Sequence, residues 1–306
     1  MEPFSRSIED YPEGIILPVD KPYRWTSADV IRKVKYAACR HFGRKNLKVG
    51  HAGTLDPLAT GILLVCIGPA TRRAEELQRS AKQYVAGVTF GATTPSYDLE
   101  KGIDTLYPFG GVCEASIRAM LPGFEGEQEQ IAPLFSAKSV DGVRAYEMAR
   151  RMYRESQRSG TAFNHEQSEL LSRQNITIYG LELLDFRPAA VPSALSGPVA
   201  AVQDAAAPEV QPADRRNRIN VADISGYDLP SATIRVDCSK GTYIRALARD
   251  MGEALGTGAF LNSLRRTKNG GFSIEDAVSM DQAMELLSQP AFSKIPAADG
   301  LVGSDE

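Results

Sequence analysis

A carboxylate in a glycine-rich loop is the most distinctive chemical feature of the sequence. Residues 50–61 read GHAGTLDPLATG, with Asp56 directly before Pro57. Because proline disfavours the helical conformation in the residue before it, Asp56 is expected to have an extended backbone. Leu55 and Leu58 can anchor the loop in a core and leave the carboxylate aimed outward, as a rigid loop that presents a reactive group would do. An ordinary Asp-Pro turn without chemistry is the alternative.

Several other kinds of site are missing from the sequence. No Walker loop occurs, and Gly256-Thr257-Gly258 lacks the third glycine of a dinucleotide-binding loop. The three histidines, at 41, 51 and 165, show no metal-binding spacing, and the four cysteines form no C-x-x-C pair. These absences weaken redox, metal and phosphoryl-transfer interpretations.

Elements of both types must position the loop. Thr26-Ser27-Ala28-Asp29 predicts a capping box, and the helix that follows should end near Gly43. The apolar run 62–67 predicts a central strand buried on both faces, and 84–90 alternates as a half-buried strand does. Further strands are predicted over 176–186, 232–239 and 260–267, and helices over 71–80, 143–153, 242–255 and 279–287. Because strands and helices alternate without the regular order of a doubly wound sheet, we predict a mixed α+β fold.

Composition and charge indicate a globular protein with segregated charge. The 306 residues are 43% hydrophobic and 24% charged, with a net charge of −3, which is typical of neither a fibrous nor a disordered chain. No run approaches the roughly 18 apolar residues of a membrane helix, and the N-terminus does not resemble a signal peptide, so a cytoplasmic location is expected. Residues 21–51 hold nine Lys or Arg against one acid. Such a segment can steer a polyanion, although a solvated helix face explains it equally well.

The sequence resembles the TruB family of tRNA pseudouridine synthases in several separate segments. GHAGTLDPLATG is similar to the active-site motif of that family. The other matching segments, in the order of the family, are Asp20-Lys21-Pro22 with Thr26-Ser27, Lys82-Gln83-Tyr84, Pro133-Leu134-Phe135-Ser136-Ala137, residues 140–146, Ser239-Lys240-Gly241-Thr242-Tyr243-Ile244-Arg245 and Leu264-Arg265-Arg266. The resemblance spans about 14–272, and chance does not explain so many matches in one order. It implies the pseudouridine synthase fold, a mixed, mostly antiparallel sheet flanked by helices.

The resemblance implies that the protein isomerises the T-loop uridine of tRNA, position 55 in tRNA numbering. The N1–C1′ bond breaks, the uracil turns and C5 bonds to C1′, so no electrons are gained or lost and neither a cofactor nor a metal is expected. The target base must be flipped out of its stack. The expected partner is the T-arm of tRNA, with no membrane, no obligate protein partner and a monomeric chain. A protein that only binds or folds RNA is one alternative, and the same chemistry on another T-loop-like hairpin is another.

The resemblance also implies three catalytic residues. Asp56 matches the nucleophile of the family, and Arg245 matches the cation that keeps this carboxylate charged and aimed. Tyr84 matches the tyrosine that stacks on the target uracil, and its phenol could also move a proton; a core aromatic is the alternative. None of the motifs supplies a second carboxylate, which a two-carboxylate mechanism would need.

Besides Tyr84, four further residues are implied in substrate binding. His51 matches the histidine that occupies the space left by the flipped bases. Tyr243 and Leu264 match positions that contact the flipped nucleotide, with ordinary packing as the alternative. Lys21 either supports the loop or meets a phosphate, unless it is a solvated surface lysine.

We predict one catalytic domain over residues 1–290, followed by a tail at 291–306. Residues 138–178 match the mobile insertion with which the family clamps RNA; its arginines include Arg144, Arg150, Arg151, Arg154 and Arg158. Residues 188–229 are predicted to form a flexible insertion, because 188–213 holds nine Ala and five Pro without an aromatic residue. Many relatives carry a C-terminal PUA-type RNA-binding module, for which the chain after Phe272 looks too short.

One position departs from the family pattern Asp-Lys-Pro-x-Gly-x-Thr-Ser, since Arg24 stands in place of the glycine. If the backbone there has a positive φ, arginine strains the turn. Alternatively, Arg24 adds a phosphate contact.

Overall fold

Fourteen strands and six α-helices make up the described part of the chain, which in this computed structural model comprises residues 3–135, 139–140, 143–159, 173–190, 197–198 and 219–288. The strands are β1 (Ile15–Lys21), β2 (Val49–Ala52), β3 (Thr60–Ile67), β4 (Lys82–Phe90), β5 (Ala92–Thr93), β6 (Thr105–Leu106), β7 (Gly126–Ile131), β8 (Ser139–Val140), β9 (Val143–Arg144), β10 (Arg173–Arg187), β11 (Gly197–Pro198), β12 (Ser231–Cys238), β13 (Ala259–Asn269) and β14 (Phe272–Ser273). The helices are α1 (Ser27–His41), α2 (Ala74–Arg79), α3 (Glu114–Met120), α4 (Ala145–Ser159), α5 (Ile244–Ala254) and α6 (Met280–Leu286). No helix within these ranges is long and apolar enough to cross a membrane.

A nine-stranded mixed sheet forms the centre of the fold. Seven strands lie in the order β1-β3-β13-β4-β12-β10-β7, while β2 pairs with β3 and β14 pairs with β13. Neighbouring strands are antiparallel except β3 and β13, which pair in parallel. Residues of α1, α3, α5 and α6 share one apolar cluster with alternate residues of the sheet. The predicted α+β class is confirmed.

Several strand ends meet at one end of this sheet. Lys82 begins β4, and its register partners are Cys238 at the end of β12 and Asn269 at the end of β13. Thr60 begins β3 opposite Arg265 of β13. The loop before β3, which contains Asp56, therefore lies beside the segment that follows β12.

Gly61 permits the parallel approach of β13 to β3. Its φ is +103°, and a Cβ atom there would lie 2.2 Å from the carbonyl oxygen of Arg266. Only glycine can occupy this position without moving the backbone. The last glycine of the GHAGTLDPLATG segment is thus required by strand packing.

The structure confirms the predicted start of α1 and the burial of β3. The Asp29 backbone N–H donates to Thr26 Oγ1 at 3.0 Å, and the Thr26 N–H donates to Asp29 Oδ2 at 3.0 Å, which is a complete capping box. Seven of the eight residues in β3 are buried. The half-buried prediction for β4 is wrong beyond Ala86, because a bulge in β13 places Asn262 against that face, where its Nδ2 donates to Thr89 Oγ1 at 2.9 Å.

Both predicted insertions end earlier than expected. Residues 173–178 pair with β7 and so belong to the central sheet, which corrects the boundary of the 138–178 insertion. The prediction of flexibility was wrong for 219–229, because Leu229 is buried, Ile224 and Tyr227 pack against the same apolar cluster, and the Ala222 N–H donates to the Leu99 carbonyl at 2.8 Å. The apolar residues return after the Ala/Pro-rich part, which makes this docking favourable. Residues 160–172, 191–196 and 199–218 and the predicted tail at 291–306 lie outside the described residues.

Candidate active site

The loop that carries Asp56 is anchored from both sides. Leu55 and Leu58 are buried, as predicted. The Leu55 N–H donates to Ser27 Oγ at 2.9 Å, and this hydroxyl in turn donates to the Leu55 carbonyl at 3.1 Å. The Asp56 side chain retains 38% of its exposure. The loop therefore holds a carboxylate that solvent and ligands can reach.

Arg245 is the cation that fixes this carboxylate. Its Nε donates to Asp56 Oδ2 at 2.9 Å, its Nη1 to the Ser96 carbonyl at 3.1 Å and its Nη2 to the Phe135 carbonyl at 2.7 Å. Burial opposes the charge, but the carboxylates of Asp56 and Asp98 outweigh burial and raise the pKa of the Arg245 guanidinium. Arg245 is therefore a permanent cation whose three donor groups are all directed by the protein.

A second carboxylate, from outside the matched motifs, lies beside this pair. Asp98 Oδ2 is 3.7 Å from Arg245 Nε. Asp98 is buried and accepts hydrogen bonds from Ser96 Oγ at 2.6 Å and from the Glu100 N–H at 2.9 Å. Burial raises its pKa, which Arg245 and the Ser96 hydroxyl partly offset. Sequence reasoning missed Asp98 because it stands outside the matched segments and no spacing rule relates it to residue 245.

Tyr84 and Arg266 are neighbours in the same site. Tyr84 is almost fully buried, and burial raises the pKa of its phenol, which the neighbouring Arg266 partly offsets. Arg266 is also buried; its Nε donates to the Ile62 carbonyl at 2.9 Å and its Nη2 to the Gly53 carbonyl at 3.1 Å. Arg266 thus ties the loop to β3, a role that the Leu264-Arg265-Arg266 match alone did not identify.

The cleft that these residues line has a volume of about 660 Å³, within the usual range for small-ligand sites. Among the predicted site residues its lining contains Asp56, Tyr84, Tyr243, Leu264 and Arg245. Its other lining side chains include the cations Arg79, Lys82, Lys240 and Arg266. Burial lowers the pKa of Lys82 to about 8. In the described ranges, no group of three or more His, Cys, Asp or Glu side chains is arranged to hold a metal ion.

His51 and Lys21 lie outside the lining of the cleft. His51 is half-buried in β2, where burial and then Arg266 lower its pKa. Lys21 is fully buried, so it is not a solvated surface lysine. Its ammonium donates to the carbonyls of Trp25 at 2.5 Å, Pro22 at 3.0 Å and Pro57 at 3.1 Å. These contacts fit the loop-supporting interpretation of Lys21.

Replacement of Lys21 by methionine is expected to destabilise the protein by about 1–3 kcal/mol, because three carbonyls lose a charged donor. Burial lowers the pKa of Lys21 from 10.5 to about 8. Between pH 8 and 10.5 the unfolded chain therefore binds more protons than the folded chain. The stability that Lys21 contributes to the wild-type protein therefore rises with pH in that window. The deficit in the free energy of unfolding of Lys21→Met should accordingly widen from pH 8 to 10. Urea unfolding at each pH measures the deficit, with Lys33→Met, at an exposed lysine of α1, as control. A deficit that narrows with rising pH would contradict the assignment.

Arg24 has the left-handed backbone conformation that the family glycine suggested, with φ +62°. Its Nε donates to the Ile219 carbonyl at 3.1 Å. The positive φ that the strained-turn hypothesis requires is therefore present. A non-glycine residue in this region costs about 1 kcal/mol or more. The phosphate contact stays a prediction.

Two substitutions of Arg24 separate the strain from the hydrogen bond. Both Arg24→Gly and Arg24→Ala lose the guanidinium, but only glycine relieves the backbone. We expect Arg24→Gly to be more stable than Arg24→Ala by about 1 kcal/mol. Denaturant unfolding measures the difference, and an alanine variant as stable as the glycine variant would show that the turn carries no strain.

Two solved structures share this fold. A chain in the crystal structure of the archaeal box H/ACA sRNP Nop10-Cbf5 complex aligns with a TM-score of 0.51 and 24% identity over 92% of this chain and 56% of that one. The crystal structure of a Cbf5-Nop10-Gar1 complex gives a TM-score of 0.53 at 23% identity over 92% and 62%, respectively. The present chain thus spans somewhat more than half of either solved chain.

Two family models match the sequence. The model of the TruB family pseudouridylate synthase N-terminal domain matches residues 40–196, which contain Asp56 and Tyr84. The model of the tRNA pseudouridylate synthase B C-terminal domain matches residues 245–290, which begin at Arg245. Fold, cleft and these matches together define a pseudouridine synthase.

The chain belongs to the TruB family. A relative from Phocaeicola vulgatus, named tRNA pseudouridine synthase B, is 40% identical over 94% of this chain and 98% of its own length. A relative of the same name from Bacteroides thetaiotaomicron is 42% identical over 92% of this chain and 95% of its own length. One from Deinococcus radiodurans is 34% identical over 90% and 80%, respectively. The resemblance inferred from the motifs is confirmed.

Proposed function

We propose that this chain isomerises uridine to pseudouridine at position 55, in the T-loop of tRNA, with Asp56 as the nucleophile. The observation that carries the proposal is the 2.9 Å ion pair between Arg245 and a partly exposed Asp56 at a cleft walled by Tyr84. The relatives named tRNA pseudouridine synthase B support the choice of substrate.

The 2.9 Å contact with Arg245 Nε holds the Asp56 carboxylate in one direction at the cleft, as a nucleophile requires. Attack at C1′ of the sugar breaks the N1–C1′ bond as the bond to Asp56 forms; attack on the base forms the bond to Asp56 first, and the N1–C1′ bond breaks afterwards. The uracil then turns, C5 bonds to C1′, and the bond to Asp56 breaks, which regenerates the free carboxylate. The proton lost from C5 is balanced by the proton gained at N1, so product and substrate are isomers and nothing else is consumed.

Tyr84 is proposed to stack on the flipped uracil. The raised pKa of Tyr84 keeps its phenol protonated at neutral pH. The phenol can therefore donate its proton only where it also takes a proton back. Tyr243 and Leu264, both half-buried in the cleft lining, are proposed to contact the same nucleotide. The cations of the lining, such as Lys240, can bind phosphate and offset the few kcal/mol lost when a base leaves its stack.

His51 is proposed to enter the space left by flipped bases rather than to transfer protons, and Lys21 to hold Pro57 beside the nucleophile.

We further propose that the chain acts as a monomer in the cytoplasm, without an obligate protein partner. Size-exclusion chromatography with light scattering tests the monomeric state.

The test is tritium release from unmodified tRNA labelled at C5 of its uridines. Wild-type protein should release tritium from one uridine per tRNA, and a tRNA with cytidine at position 55 should release none. Binding without release would leave an RNA-binding or RNA-folding protein. Release from the cytidine-substituted tRNA would mean that another uridine is the target.

A further inference from the structure

A strained turn lies directly behind Arg245. Tyr97 has φ +55°, a left-handed conformation that only Arg24 shares among the non-glycine residues of the described chain. Such a conformation costs about 1 kcal/mol or more and persists only where the surroundings enforce it. Within TruB chemistry as proposed above, Tyr97 has no assigned role.

The residues on both sides of Tyr97 face the same guanidinium. The Ser96 carbonyl accepts a hydrogen bond from Arg245 Nη1 at 3.1 Å, and Asp98 Oδ2 lies 3.7 Å from Arg245 Nε. Since the Tyr97 dihedral angles set the direction of the Ser96 carbonyl relative to the Asp98 side chain, the reversed turn is what brings both to one cation. With an extended backbone at Tyr97, the carbonyl would point along the plane of a strand and the side chain out of that plane, so the two would not converge on one cation.

Three contacts hold Tyr97 in this conformation. Its N–H donates to the Thr94 carbonyl at 3.0 Å, and its carbonyl accepts from the Leu261 N–H of β13 at 3.0 Å. The Arg249 guanidinium lies 5.7 Å from the centre of its ring, a cation–π distance. Arg249 in turn donates to the Ile131 carbonyl at 3.2 Å and pairs with Asp250 at 2.7 Å.

Arg245 and Arg249 are four residues apart in α5, so both project from one face of the helix. Arg245 contacts the backbone of the turn at the Ser96 carbonyl, and Arg249 contacts the ring of Tyr97. The turn is thus held against the helix at two points, and the cation that aims Asp56 lies at one of them.

We propose that Tyr97 is a positioning residue that acts through Arg245: held by Arg249 and Leu261, it keeps Ser96 and Asp98 directed at the guanidinium that aims Asp56. The inference rests on the proposed function at one point only, namely that Asp56, the group aimed by Arg245, is the nucleophile. Disturbing the turn should therefore lower kcat and leave the KM for tRNA unchanged, because residues 96–98 do not line the cleft proposed to hold the nucleotide.

The experiment compares Tyr97→Phe with Tyr97→Val. Phenylalanine keeps the ring under Arg249, and we expect it to keep at least half of wild-type kcat. Valine removes the ring, and β-branched residues strongly disfavour a positive φ. We expect Tyr97→Val to lose about tenfold in kcat with KM within twofold of wild type. The matched control is Tyr179→Val, at an exposed tyrosine of β10 outside the cleft lining.

A second measurement does not depend on turnover. In protein labelled with ¹⁵N-arginine, the Nε–H resonance of Arg245 is assigned by its loss in Arg245→Lys. It should persist in Tyr97→Phe and broaden or vanish in Tyr97→Val, as solvent reaches a loosened guanidinium. If Tyr97→Val does not fold, Arg249→Ala removes the same ring contact and should give the same loss of kcat and of the resonance.

The two proposals fail in different ways. Wild-type protein that releases no tritium contradicts the proposed function, and the resonance still decides the inference. An unchanged Arg245 resonance and kcat in Tyr97→Val overturn the positioning role. An equal loss in Tyr97→Phe also overturns it, since the hydroxyl and not the turn would then be responsible.

Discussion

Replacement of Asp56 by asparagine is expected to reduce pseudouridine formation by about 10⁴-fold or more, the scale seen when an enzyme loses its nucleophile, which is the role proposed for Asp56. The amide has nearly the same shape, so the contacts of Leu55 and Ser27 that anchor the loop should survive. The amide is neutral and a poor nucleophile, and it cannot form the same ion pair with Arg245. Tritium release measures the reaction, and filter binding should give a tRNA Kd within about threefold of wild type.

Asp98→Asn is the matched control for this substitution. Both carboxylates lie beside Arg245, at 2.9 and 3.7 Å, but the Asp98 side chain keeps only 9% of its exposure against 38% for Asp56. Asp56 lines the cleft and Asp98 does not, so Asp98→Asn should lose less activity than Asp56→Asn. The reverse order would assign the nucleophile to Asp98 and contradict the mechanism.

The main strands and helices could be predicted from local pattern because their causes are local. The run at 62–67 is apolar throughout, which suits a strand covered on both faces, and β3 is such a strand. The Thr26 and Asp29 spacing contains both partners of a capping box. The far side of β4 could not be predicted, because its cover comes from Asn262, more than 170 residues away. Likewise, the composition of 188–213 gave no signal that the chain docks again from residue 219.

The site was predictable only where the family resemblance reached. Asp56 and Arg245 are 189 residues apart, and no periodicity relates them; the motif match alone brought them together. Asp98 and Tyr97 lie outside the motifs, and their importance comes from a turn whose backbone conformation only tertiary contacts enforce. The burial of Lys21 could not be inferred either, because a lysine reads as a surface residue until its three carbonyl partners are known.

Replacement of Arg245 by lysine is expected to lower kcat by about 10²- to 10³-fold and to destabilise the fold by about 1–3 kcal/mol. Arginine reaches Asp56 and the carbonyls of Ser96 and Phe135 with three nitrogen atoms of one rigid plane. An ammonium is a single point that cannot direct hydrogen bonds to groups so arranged, and each buried acceptor left without a donor costs about 1–3 kcal/mol. In Arg245→Lys, Asp56 keeps a nearby cation, but that cation no longer fixes the direction of the Asp56 carboxylate.

The stability loss distinguishes Arg245→Lys from Asp56→Asn, which should lose turnover while keeping most of its stability because Asp56 is partly exposed. Arg235→Lys is the control, since Arg235 pairs with Glu182 on the exposed surface of the sheet and surface pairs contribute about 0–1 kcal/mol. Urea unfolding and single-turnover tritium release with saturating tRNA measure the two effects separately. If Arg245→Lys kept wild-type kcat, a cation near Asp56 would be sufficient and the planar arrangement unnecessary. If it lost tRNA affinity instead of kcat, Arg245 would bind the substrate rather than aim the nucleophile.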